Sequence, residues 1–480
     1  MSSIKCKVKF LKFTGLLFII LFALLYSHDE VGMSGNESGR FATIQAIAEQ
    51  GVFHIETCNF RTVDRTIRNN HIYYDKLPFL PFVLAGVYYP LHRFCGLNFV
   101  DNYHFSIYLI NVLLGIGVNS LLFLWLFNLL RSVKKGSIEW KFFLSISCVA
   151  GTWLLSYSTM LNNHTPAALA VLGLLIALKH YSRVPHWQSA MLAGAAAGIS
   201  GLLELPCGAF SGSAAVAAVL FCAPAEKRLS HAAATAGTGA LLLLAGVLLN
   251  LHAYGTWLPL YFGSHGVKGT FGVDSNSNIF YYCYHIFIGD RGIFSHMPFL
   301  LLGFWALFTS KFKWHRIEYI FASGIAAYML FYLTCTNEFG GQSYGFRYFI
   351  PIIPVIWFWG ARFVLTLTSC KWKVPVLAII ILWGIITALA GAYFPFCPGN
   401  EGDRTHKANF TRYVSSFGGN LLCWSYENHP QSMLTAELIN RYGLKHSLSF
   451  MYWSYFQRKK IDMLARMQRD FPEYFPGGKK

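Results

Sequence analysis

Long apolar segments recur along most of the chain and constrain its fold more than any other feature. A helix needs about 20 predominantly apolar residues to cross a hydrocarbon core about 30 Å thick. Nine segments approach or exceed this length and two are shorter. They lie at 10–27, 105–130, 142–160, 165–180, 188–204, 207–222, 232–253, 297–310, 318–335, 348–366 and 374–394. The pattern predicts an all-α polytopic membrane protein with about 11 transmembrane helices.

Charge supports the same class. Only 13% of the residues are charged, whereas soluble domains carry about 25%. This difference excludes a disordered chain, a coiled coil and an ordinary cytosolic enzyme. The formal net charge is +17, which in a soluble protein would suggest nucleic-acid binding. In a membrane protein, basic residues concentrate in cytoplasmic linkers, so the sequence predicts membrane lipids and no nucleic acid as partners.

The path of residues 77–94 decides the topology. This segment is apolar but contains Pro78, Pro81 and Pro90. If it enters the membrane and returns as a re-entrant segment, and the N-terminus is cytoplasmic, every basic linker falls inside. The inner linkers then hold 18 Lys and Arg residues against three acids, as the positive-inside rule expects. The sequence thus predicts a cytoplasmic N-terminus and an extracytoplasmic C-terminus.

This topology divides the chain into a transmembrane domain and a tail. The domain spans 1–394 and includes two outer loops, at 28–76 and 254–296. The tail, 395–480, forms a small C-terminal extracytoplasmic region with helical patterns near 432–442 and 455–468.

The first outer loop begins with a helical pattern that includes Ile44, Ile47 and Ala48. It predicts an amphipathic helix lying at the membrane surface. Glu37 and Arg40 stand at the start of this helix, three residues apart. An acid here is equally typical of simple helix capping.

The same loop ends in a second polar cluster. Asp64, Tyr74 and Lys76 precede the re-entrant segment, where irregular backbone is tolerated only beside a cavity or inside protein. A lysine at this depth is also typical of a membrane-edge anchor, but the setting favours a lining role.

Further polar groups fall on the same predicted face. Asn163 and His164 lie in a turn between two spans, Glu204 lies between two others, and Arg347 opens a later span. A cation at a membrane edge indicates a functional site. Together these groups predict an outer cavity with carboxylates, a lysine and an arginine.

Several motifs in this order resemble those of polytopic GT-C-type glycosyltransferases. The family includes protein O-mannosyltransferase and aminoarabinose-transferase relatives, which use dolichyl- or undecaprenyl-phosphate sugars. The matching motifs are NESGR (36–40), YYDKLP (73–78), LNNHTP (161–166), YGTWLPLYF (254–262), GDRGIFSHMP (289–298) and GGQSYGFRYFIPIIP (340–354). The resemblance covers roughly residues 10–395. Many relatives have an acid where this chain has Asn36, so the acidic pair Asp29 and Glu30 remains an alternative to Glu37.

The resemblance implies a GT-C-like bundle and an inverting, metal-independent transfer of a hexose or pentose. The donor would be a polyprenyl-phosphate sugar, and the acceptor a glycan, lipid or protein hydroxyl outside the inner (plasma) membrane. No cofactor and no metal ligand set is expected, although the loop's acids leave a divalent cation open. A glycolipid transporter or flippase, or a non-catalytic envelope assembly protein, are the alternatives.

Each site residue then has an expected role. Glu37 and Asp64 are the expected catalytic carboxylates. Lys76, Arg347 and Arg40 are expected to hold the donor phosphate. Acceptor or sugar orientation is expected from four further residues: Asn163, His164, Tyr74 and Glu204.

Overall fold

The structure is a computed structural model. It describes residues 2–31, 35–262, 278–289, 291–309, 315–336, 339–340, 343–367, 373–393, 395, 416–429 and 431–442. The predicted helix at 455–468, the middle of the second outer loop and most of the tail lie outside the described residues.

Seven described helical segments are long and apolar enough to cross a membrane. They contain α1 (Ser2–Tyr26), α4 (Tyr103–Arg131), α9 (Leu205–Cys222), α10 (Arg228–Tyr254), α14 (Arg316–Cys335), α15 (Ile353–Thr366) and α16 (Lys373–Tyr393). A 3₁₀ helix, Arg347–Ile352, leads directly into α15. These segments coincide with predicted spans, so the multi-pass architecture follows from the apolar runs.

Shorter helices occupy the other predicted spans. They are α5 (Ile138–Ala150), α6 (Trp153–Tyr157), α7 (His164–Tyr181), α8 (Trp187–Leu203) and α13 (Leu300–Phe308). The predicted span 142–160 is two helices because Thr152 adopts an extended conformation and caps α6 through its hydroxyl. Eleven spans therefore remains a prediction.

The first outer loop folds into α2 (Gly35–Gln45), a π-helical turn (Ala46–Gln50) and a β-hairpin. Residues 37–46 are all buried, so the predicted surface helix is instead enclosed by protein. The hairpin pairs β1 (Arg65–Arg68) with β2 (His71–Tyr74), antiparallel. Both turn residues, Asn69 and Asn70, have positive φ, as a two-residue hairpin turn requires.

Helix α3 (Phe79–Cys95) corrects the prediction of a re-entrant segment. Pro78 and Pro81 fall at its start, where backbone N–H groups have no helical partner, so they do not break it. Glu49 accepts hydrogen bonds from Tyr88 in the middle of α3 and from the Phe99 backbone beyond its end, both at 2.9 Å. The helix therefore lies along the first outer loop.

Ion pairs mark the opposite end of the bundle. Glu318 is buried and lies 3.0 Å from the Lys179 ammonium, and it also pairs with Arg362. Lys7 pairs with Glu139. All five residues belong to the linkers predicted to share the inner face.

The remaining described helices lie toward the outer end and the tail. They are α11 (Ile279–Phe287), α12 (Ile293–His296), α17 (Ser416–Asn428) and α18 (Met433–Tyr442). The side chain of Asn420 donates to the Ala390 carbonyl at 2.6 Å, which holds α17 against α16. The division at residue 395 stays a prediction.

Candidate active site

Tyr74 joins the hairpin to α2 at the centre of the first outer loop. Its ring packs against Gly39, where a Cβ would lie 2.1 Å from the ring. Its hydroxyl donates to the Asn36 side chain at 3.2 Å. Burial raises the pKa of Tyr74, so the phenol stays protonated. Tyr74 therefore fixes α2 on β2, and this contact is its observed role.

A lysine and two carboxylates follow directly from β2. The Lys76 ammonium lies 3.2 Å from Asp75 and 3.9 Å from Asp64. The backbone N–H of Tyr261, from the second outer loop, donates to the Asp75 carbonyl at 3.0 Å. The Tyr261 ring lies 5.5 Å from the same ammonium. The Lys76 and Asp64 side chains remain 33% and 25% exposed, so this cluster is open to a ligand.

Glu37 and Arg40 both reach the turn that precedes α7. Glu37 accepts a 3.4 Å hydrogen bond from the Leu161 backbone. Arg40 donates to the Asn163 side chain at 2.6 Å, and Asn163 donates in turn to the Leu203 carbonyl at 3.0 Å. Glu37 is 1% exposed and Arg40 is 8% exposed. The three-residue spacing on one helix thus places an acid and a cation against one polar turn.

Glu204 lies between α8 and α9, and its carboxylate contacts residues of α7 and α14. One carboxylate oxygen lies 3.0 Å from His164 Nδ1. The other accepts hydrogen bonds from the hydroxyls of Tyr328 and Tyr332, at 3.2 and 2.9 Å. All four side chains are buried. This network positions the start of α7 against α14.

Arg347 stands where these groups converge. Gly345, in the turn before it, has φ +67° and packs against the Trp153 ring, so a side chain here would clash and strain the turn. The Arg347 guanidinium lies 5.6 Å from the Tyr348 ring centre. Its Nε has no hydrogen-bond partner among the described residues. The Tyr348 ring that it contacts lies 5.9 Å from the His164 ring, so Arg347 adjoins the buried network.

The structure therefore brings the sequence-predicted site residues together at one end of the bundle. The alternative acids Asp29 and Glu30 lie beside His104, 3.7 and 3.6 Å from its Nδ1. Sequence reasoning missed Tyr261, Tyr328 and Tyr332. Tyr261 lies within the motif at 254–262 but had no expected role. Aromatic residues near spans resemble core or membrane-interface residues, so nothing in the spacing marked Tyr328 and Tyr332.

No protein-family model and no curated protein matches the chain. Among solved structures, its fold is similar to that of ArnT from Cupriavidus metallidurans, crystallised with bound undecaprenyl phosphate. The two share 14% sequence identity with a TM-score of 0.54, over 95% of this chain and 77% of that chain. At this identity the likeness is one of fold. It confirms the predicted GT-C-like bundle in a multi-pass membrane protein.

Proposed function

We propose that the chain transfers a hexose or pentose from a polyprenyl-phosphate donor to an acceptor hydroxyl at the outer face of an inner (plasma) membrane. The observation that carries the proposal is the placement of two cations at the end of the bundle where Glu37 lies: Lys76 beside Asp64, and Arg347 beside Tyr348, whose ring lies 5.9 Å from the His164 ring. Cations at the outer end of a membrane bundle are suited to a lipid phosphate. The shared fold with a protein that binds undecaprenyl phosphate supports this ligand class.

The proposed reaction is a single displacement. The acceptor oxygen forms a bond to the anomeric carbon as the bond from that carbon to the phosphate oxygen breaks. Glu37 takes the acceptor proton, and polyprenyl phosphate leaves with the electron pair of the broken bond. Attack opposite the leaving group inverts the anomeric centre. The step requires no metal, because cationic side chains stabilise the phosphate charge.

The three cations differ in exposure and in their existing contacts, and these differences indicate how each would bind the phosphate. Lys76 is partly exposed and is neutralised by Asp64 and Asp75, so a phosphate would replace part of this pairing. Arg347 presents a planar guanidinium that can bind a phosphate through two hydrogen bonds. Arg40 donates a hydrogen bond to Asn163. It therefore supports the turn and is the third candidate for binding the phosphate.

The polar network beneath the turn would orient the substrates indirectly. Glu204 holds His164, and Asn163 ties α2 to the end of α8. Because these side chains are already hydrogen-bonded, with Glu204 and His164 buried and Asn163 half-buried, they can fix the position of Glu37 and Arg40 without reorganising during the reaction. Asp64 lies 3.9 Å from the Lys76 ammonium and would assist by orienting it.

The first test replaces the proposed base with its neutral isostere. In Glu37→Gln, the amide oxygen can still accept the Leu161 hydrogen bond, so the fold should persist. We expect transfer to fall by about 10²–10⁴-fold, the usual contribution of a positioned base. Transfer is measured in proteoliposomes with synthetic polyprenyl-phosphate sugars. The acceptor is first identified by mass spectrometry of surface glycans and glycolipids with and without the gene.

Asp101→Asn is the matched control. It makes the same charge change on the outer side, where Asp101 contacts Asn98 at the surface, and should keep wild-type transfer. Wild-type transfer by Glu37→Gln would remove Glu37 as the base. Donor movement across the membrane without a new glycosidic bond would contradict the proposed function and favour a transporter.

A further inference from the structure

Two histidines and a glutamate form a cluster in the first outer loop that the proposed reaction does not use. His71 Nδ1 lies 2.6 Å from one Glu56 carboxylate oxygen, and His54 Nδ1 lies 3.3 Å from the other. One ligand atom from each of the three residues lies within 4.8 Å of the other two. The cluster is partly exposed and lies at the turn end of the hairpin.

Backbone pairing explains why these side chains converge. The Ile55 N–H donates to the Ile72 carbonyl at 2.8 Å, so the segment with His54 and Glu56 runs beside β2. Ile55 is buried. Ile55 also begins a turn, because the Cys58 N–H donates to the Ile55 carbonyl at 3.2 Å, and the Ile72 N–H donates to the Glu56 carboxylate at 3.2 Å. His54 and Glu56 therefore lie together, and His71, which precedes Ile72, joins them from β2.

We propose that His54, Glu56 and His71 bind one Zn²⁺ ion. Two imidazole nitrogens and one carboxylate oxygen are an established zinc ligand set, which a water molecule completes to a tetrahedron. Zinc bonds of about 2.0–2.2 Å place such ligand atoms roughly 3.4 Å apart, and the two imidazole–carboxylate distances here are 2.6 and 3.3 Å, so small side-chain shifts would admit an ion. The Ile72 N–H donates to Glu56 at 3.2 Å and orients the carboxylate, as outer-shell donors do at metal sites.

Zinc binding would change the angle between the His54 and His71 rings. They now stack at 4.3 Å with 17° between their planes, and an ion must lie close to each imidazole plane. The rings therefore tilt toward Glu56 on binding.

The ion would fasten the segment at Glu56 to the hairpin. Strand β2 runs from His71 to Tyr74 and leads into Asp75 and Lys76, and Arg68 on the paired strand donates to Gly255 of the second outer loop at 3.0 Å. Zinc at the turn end would thus stabilise the strand that positions Lys76. This role stands whether or not the chain is a glycosyltransferase.

The test measures zinc binding by the full-length, tag-free protein in detergent after chelation. We expect the wild type to bind one equivalent of Zn²⁺, to show the visible absorption of four-coordinate Co²⁺ when Co²⁺ replaces it, and to melt at a higher temperature with zinc. His71→Ala, His54→Ala and Glu56→Gln should each weaken zinc binding by about 100-fold or more, since even outer-shell losses cost about 10–100-fold.

His92→Ala is the matched control, because His92 contacts only a backbone carbonyl among its described hydrogen bonds. It should bind zinc as the wild type does. Glu56→Gln keeps the shape of the cluster, so equal melting temperatures of the metal-free proteins separate lost binding from misfolding. The proposal is overturned if the wild type binds no more zinc than the double variant His54→Ala/His71→Ala, or if His92→Ala loses zinc equally.

Discussion

Individual polar residues at the outer end of the bundle act through their partners. Lys76, Arg347, Glu37 and Asp64 could be selected from sequence because charge is rare near membrane spans and therefore informative. The residues that contact them could not be selected in this way. The backbone N–H that donates to Glu37 belongs to Leu161, 124 residues away in sequence, and no local pattern encodes a contact at that separation.

Lys76 provides the most direct test of donor binding. Lys76→Gln removes a charge that we assign to the phosphate, while Arg347 remains. A hydrogen bond to a charged group is worth about 1.5–3 kcal/mol, so KM for the polyprenyl-phosphate donor should rise about 10- to 100-fold. Steady-state transfer at varied donor concentration measures it. Arg65→Gln, an exposed cation on the same hairpin, should leave KM unchanged, and an unchanged KM in Lys76→Gln would reject the assignment.

Glu204 is expected to contribute to stability more than to chemistry. Glu204→Ala removes the acceptor that His164, Tyr328 and Tyr332 share. Leaving buried donors without that acceptor should lower the free energy of unfolding by about 1–3 kcal/mol. A thermal melt in detergent detects this as a lower melting temperature. Glu226→Ala, at an exposed linker position, should melt as the wild type does; equal melting of both variants would contradict the role of Glu204.

At the scale of elements, apolar periodicity predicted where helices occur but not how they lie. The segment at 77–94 reads as a membrane dip because it is apolar and rich in proline. In the structure it is one helix packed on the first outer loop, where Glu49 accepts hydrogen bonds from Tyr88 within the helix and from the Phe99 backbone beyond it. Likewise α2 is enclosed because α3 and β2 cover it, which its own sequence does not encode. The hairpin was missed because its strands have only four residues each.

Close packing of α8 and α10 gives a prediction for these elements. A Cβ at Gly194 on α8 would lie 2.1 Å from the Thr235 carbonyl oxygen on α10, so the helices touch through small residues as membrane helices commonly do. Gly194→Leu should force them apart at a cost of about 1–3 kcal/mol, and lower the melting temperature. Gly237→Leu is the control, since Gly237 has open space around it. Equal melting of both variants would mean that this contact is not tight.

For the whole molecule, the contacts sort the linkers into two groups. Loops predicted to lie outside meet around Glu37, Lys76 and Glu204, and the basic linkers predicted to lie inside meet around Glu318. This separation agrees with the topology drawn from Lys and Arg bias. A chemical probe applied to intact cells tests which group faces the cytoplasm.

Native cysteines supply that probe. Cys6, near the start of α1, and Cys95, at the end of α3, are both exposed and are predicted to lie on opposite sides. Restored singly to a cysteine-free chain, Cys95 should react with a membrane-impermeant maleimide in intact cells, and Cys6 only after permeabilisation. Cys58 should react slowly in both states, because burial raises the pKa of its thiol to about 12 and the thiolate is the reactive form. Labelling of Cys6 but not Cys95 in intact cells would invert the topology and place Glu37 and Lys76 in the cytoplasm, which would exclude the proposed transfer at the outer face.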